Sequence, residues 1–301
     1  MEGTVSYRDL SLDQLKQRAE EAGEMLKQCN VCARNCLANR LEGERRACRA
    51  GRLAVVASYG PHYGEEEVLV GTRGSGTIFF SYCNLSCKFC QNYDISQCGE
   101  GRQVTAKELA DIMLELQDSG CHNVNLVSPS HFVPQILEAL VSAVEDGLTV
   151  PLVYNTGGYD SQETLSLLDG VVDIYMPDIK FGSDEAGKKY TGVPDYFSVV
   201  RRAVKEMYRQ VGDLQVDKNG IAVRGLLVRH LVMPHNLAET GEIMKFLAKE
   251  ISPRTFVNIM DQYYPAHEAR RYPEIARRTT AEEYRRALEE ARRAGLTRIY
   301  S

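Results

Sequence analysis

The chain has 301 residues, 44% of them hydrophobic and 26% charged, a balance that suits a soluble globular protein and excludes disordered and fibrous classes. Its net charge of −5 does not favour nucleic acid as a partner. No apolar run approaches the roughly 18 residues of a membrane span, and the opening MEGTVSYRDLSLDQLKQ lacks the basic-then-apolar pattern of a signal peptide. No membrane association and a cytoplasmic location are therefore expected. Against that background nine cysteines are many. In a reducing compartment, with an odd count, metal ligation explains them better than disulfides.

Ser11 and Gln14 form a capping box, and Leu12, Leu15, Ala19, Ala22 and Leu26 recur at helical spacing, so a helix is predicted to open at Ser11. An arginine-rich segment follows, with Cys29, Cys32, Cys36 and Cys48 spaced C-x2-C-x3-C-x11-C. It holds too few apolar residues for a core of its own, and a metal held by four thiolates would staple it. The ligand count suits zinc and an iron–sulfur cluster equally. The arginines around it favour thiolates.

Beyond about residue 55 the pattern changes. Strands are predicted at 77–80, 123–128, 152–155, 172–176, 225–231 and 255–260, with helices beginning near Thr105, His131, Ser161, Tyr196 and Ala238. Thr105 and Glu108 form a second capping box, closed by Gly120. Thr280 and Glu283 open a last helix that stops at Gly295. Its paired arginines, interleaved with glutamates, mark an exposed face laced with ion pairs. Lys218-Asn219-Gly220 signals a hairpin within 216–223. Six strands alternating with helices give an α/β fold with a parallel sheet. Two domains are expected: 1–55, the helix and cysteine-rich segment, and 56–301.

In such folds the active site gathers at the C-terminal strand ends. Cys83, Cys87 and Cys90 follow the first strand as C-x3-C-x2-C. Three thiolates are one short of a closed zinc site, whereas a cubane cluster on three cysteines leaves one iron open to a small molecule. Cys98 and Cys121 stand alone and are expected to be small hydrophobes in or near the core.

The three-cysteine motif, with Phe89 before its last cysteine, resembles the signature of radical SAM enzymes. SYGPHYGEEEVLVGTRGSGTIFFSYCNLSCKFCQNYDIS, VYNTGGYD, VDIYMPDIKF, LLVRHLVMP and MDQYYP extend the resemblance over residues 55–295, to the branch similar to pyruvate formate-lyase activating enzyme. Within that branch the chain is similar to a subgroup with an added N-terminal cysteine segment. The resemblance implies a partial (β/α)6 TIM-like barrel. It also implies that Cys83, Cys87 and Cys90 bind a [4Fe–4S] cluster that reductively cleaves S-adenosylmethionine to a 5′-deoxyadenosyl radical. That radical abstracts hydrogen from a protein or a small molecule.

An electron donor such as flavodoxin or ferredoxin is implied as partner. Asn155, Thr156, Met176, Asp178 and Lys180 match strand ends that line the family's SAM pocket. Where the family carries a glycine-rich, glutamate-bearing motif, this chain has Ser128-Pro129-Ser130-His131, so the SAM amino group falls to the hydroxyl of Ser128 or Ser130. His230, near the end of the fifth strand, reads either as a further pocket residue or as a hydrogen-bonded, partly buried histidine. The competing function is a non-catalytic electron-transfer or scaffold protein with two metal centres. Such a protein has no use for SAM-pocket residues.

Overall fold

The computed structural model describes residues 5–300. Residues 1–4 and 301, which belong to the two expected domains and in part to the opening stretch, lie outside the described residues. In chain order the elements are α1 (Leu12–Glu24), β1 (Ala54–His62), α2 (Glu67–Val70), β2 (Ser75–Phe80), β3 (Arg102–Val104) and α3 (Ala106–Asp118). They continue with β4 (Val124–Val127), α4 (Val133–Glu145), β5 (Leu152–Thr156), α5 (Gln162–Leu167), β6 (Ile174–Pro177), α6 (Asp184–Thr191) and α7 (Tyr196–Val211). The rest are β7 (Gln215–Val216), β8 (Ala222–Leu231), α8 (Thr240–Phe246), β9 (Phe256–Met260), α9 (Ala281–Ala294) and β10 (Arg298–Tyr300).

The capping boxes form as expected at Ser11, Thr105 and Thr280, and each side chain receives the backbone N–H three residues on. The hairpin of β7 and β8 turns at Gly220, whose φ of +81° favours glycine.

The six expected strands are β2, β4, β5, β6, β8 and β9. They pair in parallel in the spatial order β9-β8-β6-β5-β4-β2. β10 adds a parallel edge beside β9, and antiparallel β1 and β3 extend the other side. Among the described residues β10 and β3 do not pair, so the sheet curls into an open, partial barrel.

Side chains alternate between two cores. Val153, Ile174, Met176 and Leu227 point into the barrel, where they pack with Leu69, Leu214 and Ala222. Tyr154, Tyr175 and Val228 face the helices in the larger core. The interior position is thus shared by Asn125 opposite Val153, by Asn155 and by Arg229. α2 lies inside this ring: Leu69 is fully buried in the inner core, and Asn123 Nδ2 donates to its carbonyl at 2.9 Å. That seat carries Glu65 and Glu66 into the barrel.

The N-terminal segment packs on the same framework. α1 lies on α4, and Leu15, Ala22 and Leu26 are buried in the core that also holds the barrel's outer face. Arg40, 2% exposed, donates to the carbonyls of Gly51 and His131.

Candidate active site

The site's electrostatic centre is Asp178, just beyond β6. Its Oδ2 accepts from Lys180 Nζ at 2.6 Å and its Oδ1 from Arg229 Nε at 2.7 Å. Arg229 also donates through Nη2 to Asn155 Oδ1 at 2.8 Å and through Nη1 to Glu65 Oε2 at 3.1 Å. Glu66 Oε1 in turn accepts from Asn258 Nδ2 at 3.0 Å. Burial alone would raise the Asp178 carboxyl, but Arg229 and Lys180 outweigh it and hold the group down at about 2. Burial would discharge Lys180 and Arg229, and Asp178 keeps both protonated. Burial raises Glu65 to about 7, opposed by Arg229 and helped by Glu66.

The three-cysteine loop sits above this network. Tyr82 enters it with a φ of +65°, a strained conformation for a bulky residue. Phe89 anchors the loop, buried against the rings of Phe181 and Tyr263. Cys87 is buried, and Cys83 and Cys90 are half-buried. Leu85 N–H points at Cys83 Sγ, 3.4 Å away. Burial raises the Cys83 thiol to about 11, and it raises Cys87 further. The charge of Lys180 opposes the rise at both, and that of Arg34 opposes it at Cys83. The loop after β2 and the strand end after β6 thus meet through Lys180, at the C-terminal mouth of the barrel.

A family model described as the Radical SAM superfamily matches residues 77–247. The chain belongs to the radical SAM superfamily. An uncharacterized protein of Methanocaldococcus jannaschii is 36% identical over 294 residues, 95% of this chain and 80% of the relative. Two solved structures are similar at low identity. SuiB of Streptococcus suis bound to S-adenosylmethionine is 15% identical with a TM-score of 0.45, over 73% of this chain and 43% of that one. Native anSMEcpe with bound AdoMet is 12% identical with a TM-score of 0.49, over 71% and 57%. The chain therefore spans less than two thirds of either solved protein.

A radical SAM protein implies a [4Fe–4S] cluster and SAM, and the donors present fit both. Cys83 and Cys87 share a cationic neighbour in Lys180, and Cys83 also has an N–H···S contact, as anionic sulfur ligands need. At the mouth, Ser128 adopts a φ of +58° at the end of β4 and stays half-buried, and its hydroxyl makes no hydrogen bond among the described residues. Ser130 is spent. Its Oγ bonds Thr156 Oγ1 at 2.9 Å, and Thr156 donates to Asp160 Oδ2 at 2.7 Å, in a buried cluster completed by Tyr154.

Met176 points into the barrel two residues before Asp178 and is fully buried in the inner core. His230 faces the helix layer. Its Nδ1–H donates to Ile179 O at 2.8 Å, and its Nε2 accepts from Thr240 Oγ1 at 2.9 Å, which leaves no ring nitrogen for a ligand. A one-residue step along β8 separates it from Arg229 and reverses its face. Cys98 is a further correction: it is exposed, on a surface turn that buries none of its residues, whereas Cys121 is buried.

Sequence reasoning passed over Glu65, Glu66 and Asn258, and noted Arg229 only as a strand residue. The available signal was the run of three carboxylates, Glu65-Glu66-Glu67, abutting the apolar Val68-Leu69-Val70.

Cys29, Cys32 and Cys48 are buried and Cys36 half-buried. Their charges act on one another, and the backbone N–H groups of Arg34 and Ala50 aim at Cys32 and Cys48. Among the described residues no three His, Cys, Asp or Glu side chains already close around one ion-sized point. The segment touches the barrel mouth: Arg34 Nε donates to Asn84 O beside Cys83, and Cys32 bridges Asp160.

Proposed function

We propose that this chain is a radical SAM enzyme of the pyruvate formate-lyase activating-enzyme-like branch, with Cys83, Cys87 and Cys90 as cluster ligands. When bound, the cluster and SAM supply a 5′-deoxyadenosyl radical that takes hydrogen from a protein or small-molecule substrate. The observation that carries the reading is Lys180, which joins the Asp178–Arg229 network to Cys87. Asp178 and Asn155 hold Arg229 and Lys180 at the mouth, where these cations attract the SAM carboxylate. The Ser128 hydroxyl, unpartnered among the described residues, accepts from its amino group. The buried walls of the barrel exclude water from the radical.

Residues 1–55 serve as a metal-binding extension, with Cys29, Cys32, Cys36 and Cys48 around zinc or a second iron–sulfur cluster, and 56–301 as the barrel. A flavodoxin or ferredoxin in the cytoplasm supplies the electron. A purely electron-transferring protein would not need the ionic network.

The test is anaerobic reconstitution with iron and sulfide, then dithionite and SAM. Formation of 5′-deoxyadenosine supports the reading. Its absence in loaded protein, with no SAM-induced change in the reduced EPR signal, overturns it. A variant with all three loop cysteines changed to alanine should lose this activity. Metal analysis of that variant reads the N-terminal site as zinc or iron.

A further inference from the structure

The barrel floor below Arg229 holds more acid than base and leaves polar atoms unpartnered. Three carboxylates, Glu65, Glu66 and Asp178, face two cations, Arg229 and Lys180. Glu66 is 6% exposed, and its Oε2 is buried with no hydrogen-bond partner among the described residues. Asn125 is fully buried on the interior face, and among the described residues neither its amide nitrogen nor its amide oxygen has a partner. Unpaired buried groups of this kind cost on the order of 1–3 kcal/mol each, more when charged. Native folds keep such groups where a ligand or water completes them. Asn123, one pleat below, shows the contrast: it is satisfied by Ser75 and Leu69.

We propose that Glu66, Glu65 and Asn125 form the substrate-selecting floor of the barrel, and that it takes a small polar molecule bearing a cationic nitrogen, an ammonium or amidinium group. This rests on the radical SAM reading above and narrows its substrate class. With Glu65 ionised, a cation at Glu66 Oε2 balances three carboxylates against two cations. Asn125 supplies an acceptor for a second N–H and a donor for a neighbouring oxygen. Glu65 already registers the imbalance, since burial raises it against the pull of Arg229 and Glu66 raises it further. A substrate held this way has its carbon skeleton directed up toward the strand-end mouth, where the radical forms.

The experiment uses the reconstituted protein with SAM. Methylammonium, n-butylammonium and benzamidinium are titrated by calorimetry and thermal shift, with n-butanol and butyrate as neutral and anionic controls. The expected result is that at least one cation binds and raises the melting temperature while both controls do nothing. Glu66→Gln should weaken that binding by about tenfold or more, and its melting curve checks that it folds. Equal responses to cation, alcohol and carboxylate overturn the proposal, as does unchanged cation binding in Glu66→Gln. A water-filled floor gives the first of these outcomes. 5′-Deoxyadenosine is assayed in the same samples. SAM cleavage without cation selectivity sinks the floor alone, and cation binding without SAM cleavage sinks the radical SAM reading alone.

Discussion

Asp178 stands between two cations, 2.7 Å from Arg229 Nε and 2.6 Å from Lys180 Nζ. Its side chain is only 20% exposed, so the charges it compensates have little water to fall back on. Asp178→Asn leaves Arg229 and Lys180 facing one another. Breaking a buried pair by removing one partner costs about 3–5 kcal/mol. Denaturant unfolding of the variant should show a loss in that range, and SAM binding to the loaded protein should weaken with it. A variant as stable as the parent would mean that water screens the network.

His230 tests the division between the barrel's two faces. Its ring has both nitrogens engaged behind the sheet, and burial lowers its pKa to about 4, so it is neutral at working pH. His230→Phe should cost about 2 kcal/mol through the stranded Ile179 carbonyl and Thr240 hydroxyl. SAM affinity should stay within about twofold of the parent. A selective collapse of SAM affinity at unchanged stability would return His230 to the pocket.

Arg40 ties the cysteine segment to the barrel. It reaches the carbonyls of Gly51 and His131, and His131 Nε2–H donates to Ser81 O at 3.0 Å just ahead of the three-cysteine loop. Arg40→Met strands those carbonyls and should lower stability by about 3 kcal/mol. Arg49, exposed with one bond to Gln97 O, is the control, and Arg49→Ala should shift stability by less than about 0.5 kcal/mol. Equal effects in the two variants would show that the arginine-rich segment is held by general charge rather than by this tie.

The parallel core was legible because its strands are buried on both faces and read as short β-branched runs between capped helices. β1 was hidden by Gly60-Pro61 and by its half-exposed pattern. β3 and β10 are three residues each, too short for a period to show. α6, DEAGKKYT, is almost wholly polar and is recognisable as a helix only from its Ser183 cap.

At the site, Asp178, Lys180 and Asn155 were legible as strand-end polar groups. Thr156 and His230 were placed with them because strand ends were read without their alternation of faces. Glu65 and Glu66 escaped because α2 enters the barrel from outside the strand–helix rhythm, and only tertiary packing brings it to Arg229.

Glu65 gives the pH prediction. Its folded pKa is raised to about 7, above the roughly 4.3 of an unfolded glutamate. Protonated Glu65 therefore favours the fold. Its contribution is fully present below about pH 4.3 and is lost as the pH rises through 7, with a slope of up to about 1.4 kcal/mol per pH unit. Asp178 acts in the opposite sense: its contribution is present above about pH 4 and fades as the pH falls toward 2. Between pH 5 and 8 only the Glu65 slope operates within this pair. Unfolding free energies across that window should decline in the parent and flatten in Glu65→Gln, which mimics the neutral carboxyl. Parallel curves for the two proteins would mean that Glu65 is ionised throughout and that the floor carries its full negative charge at neutral pH.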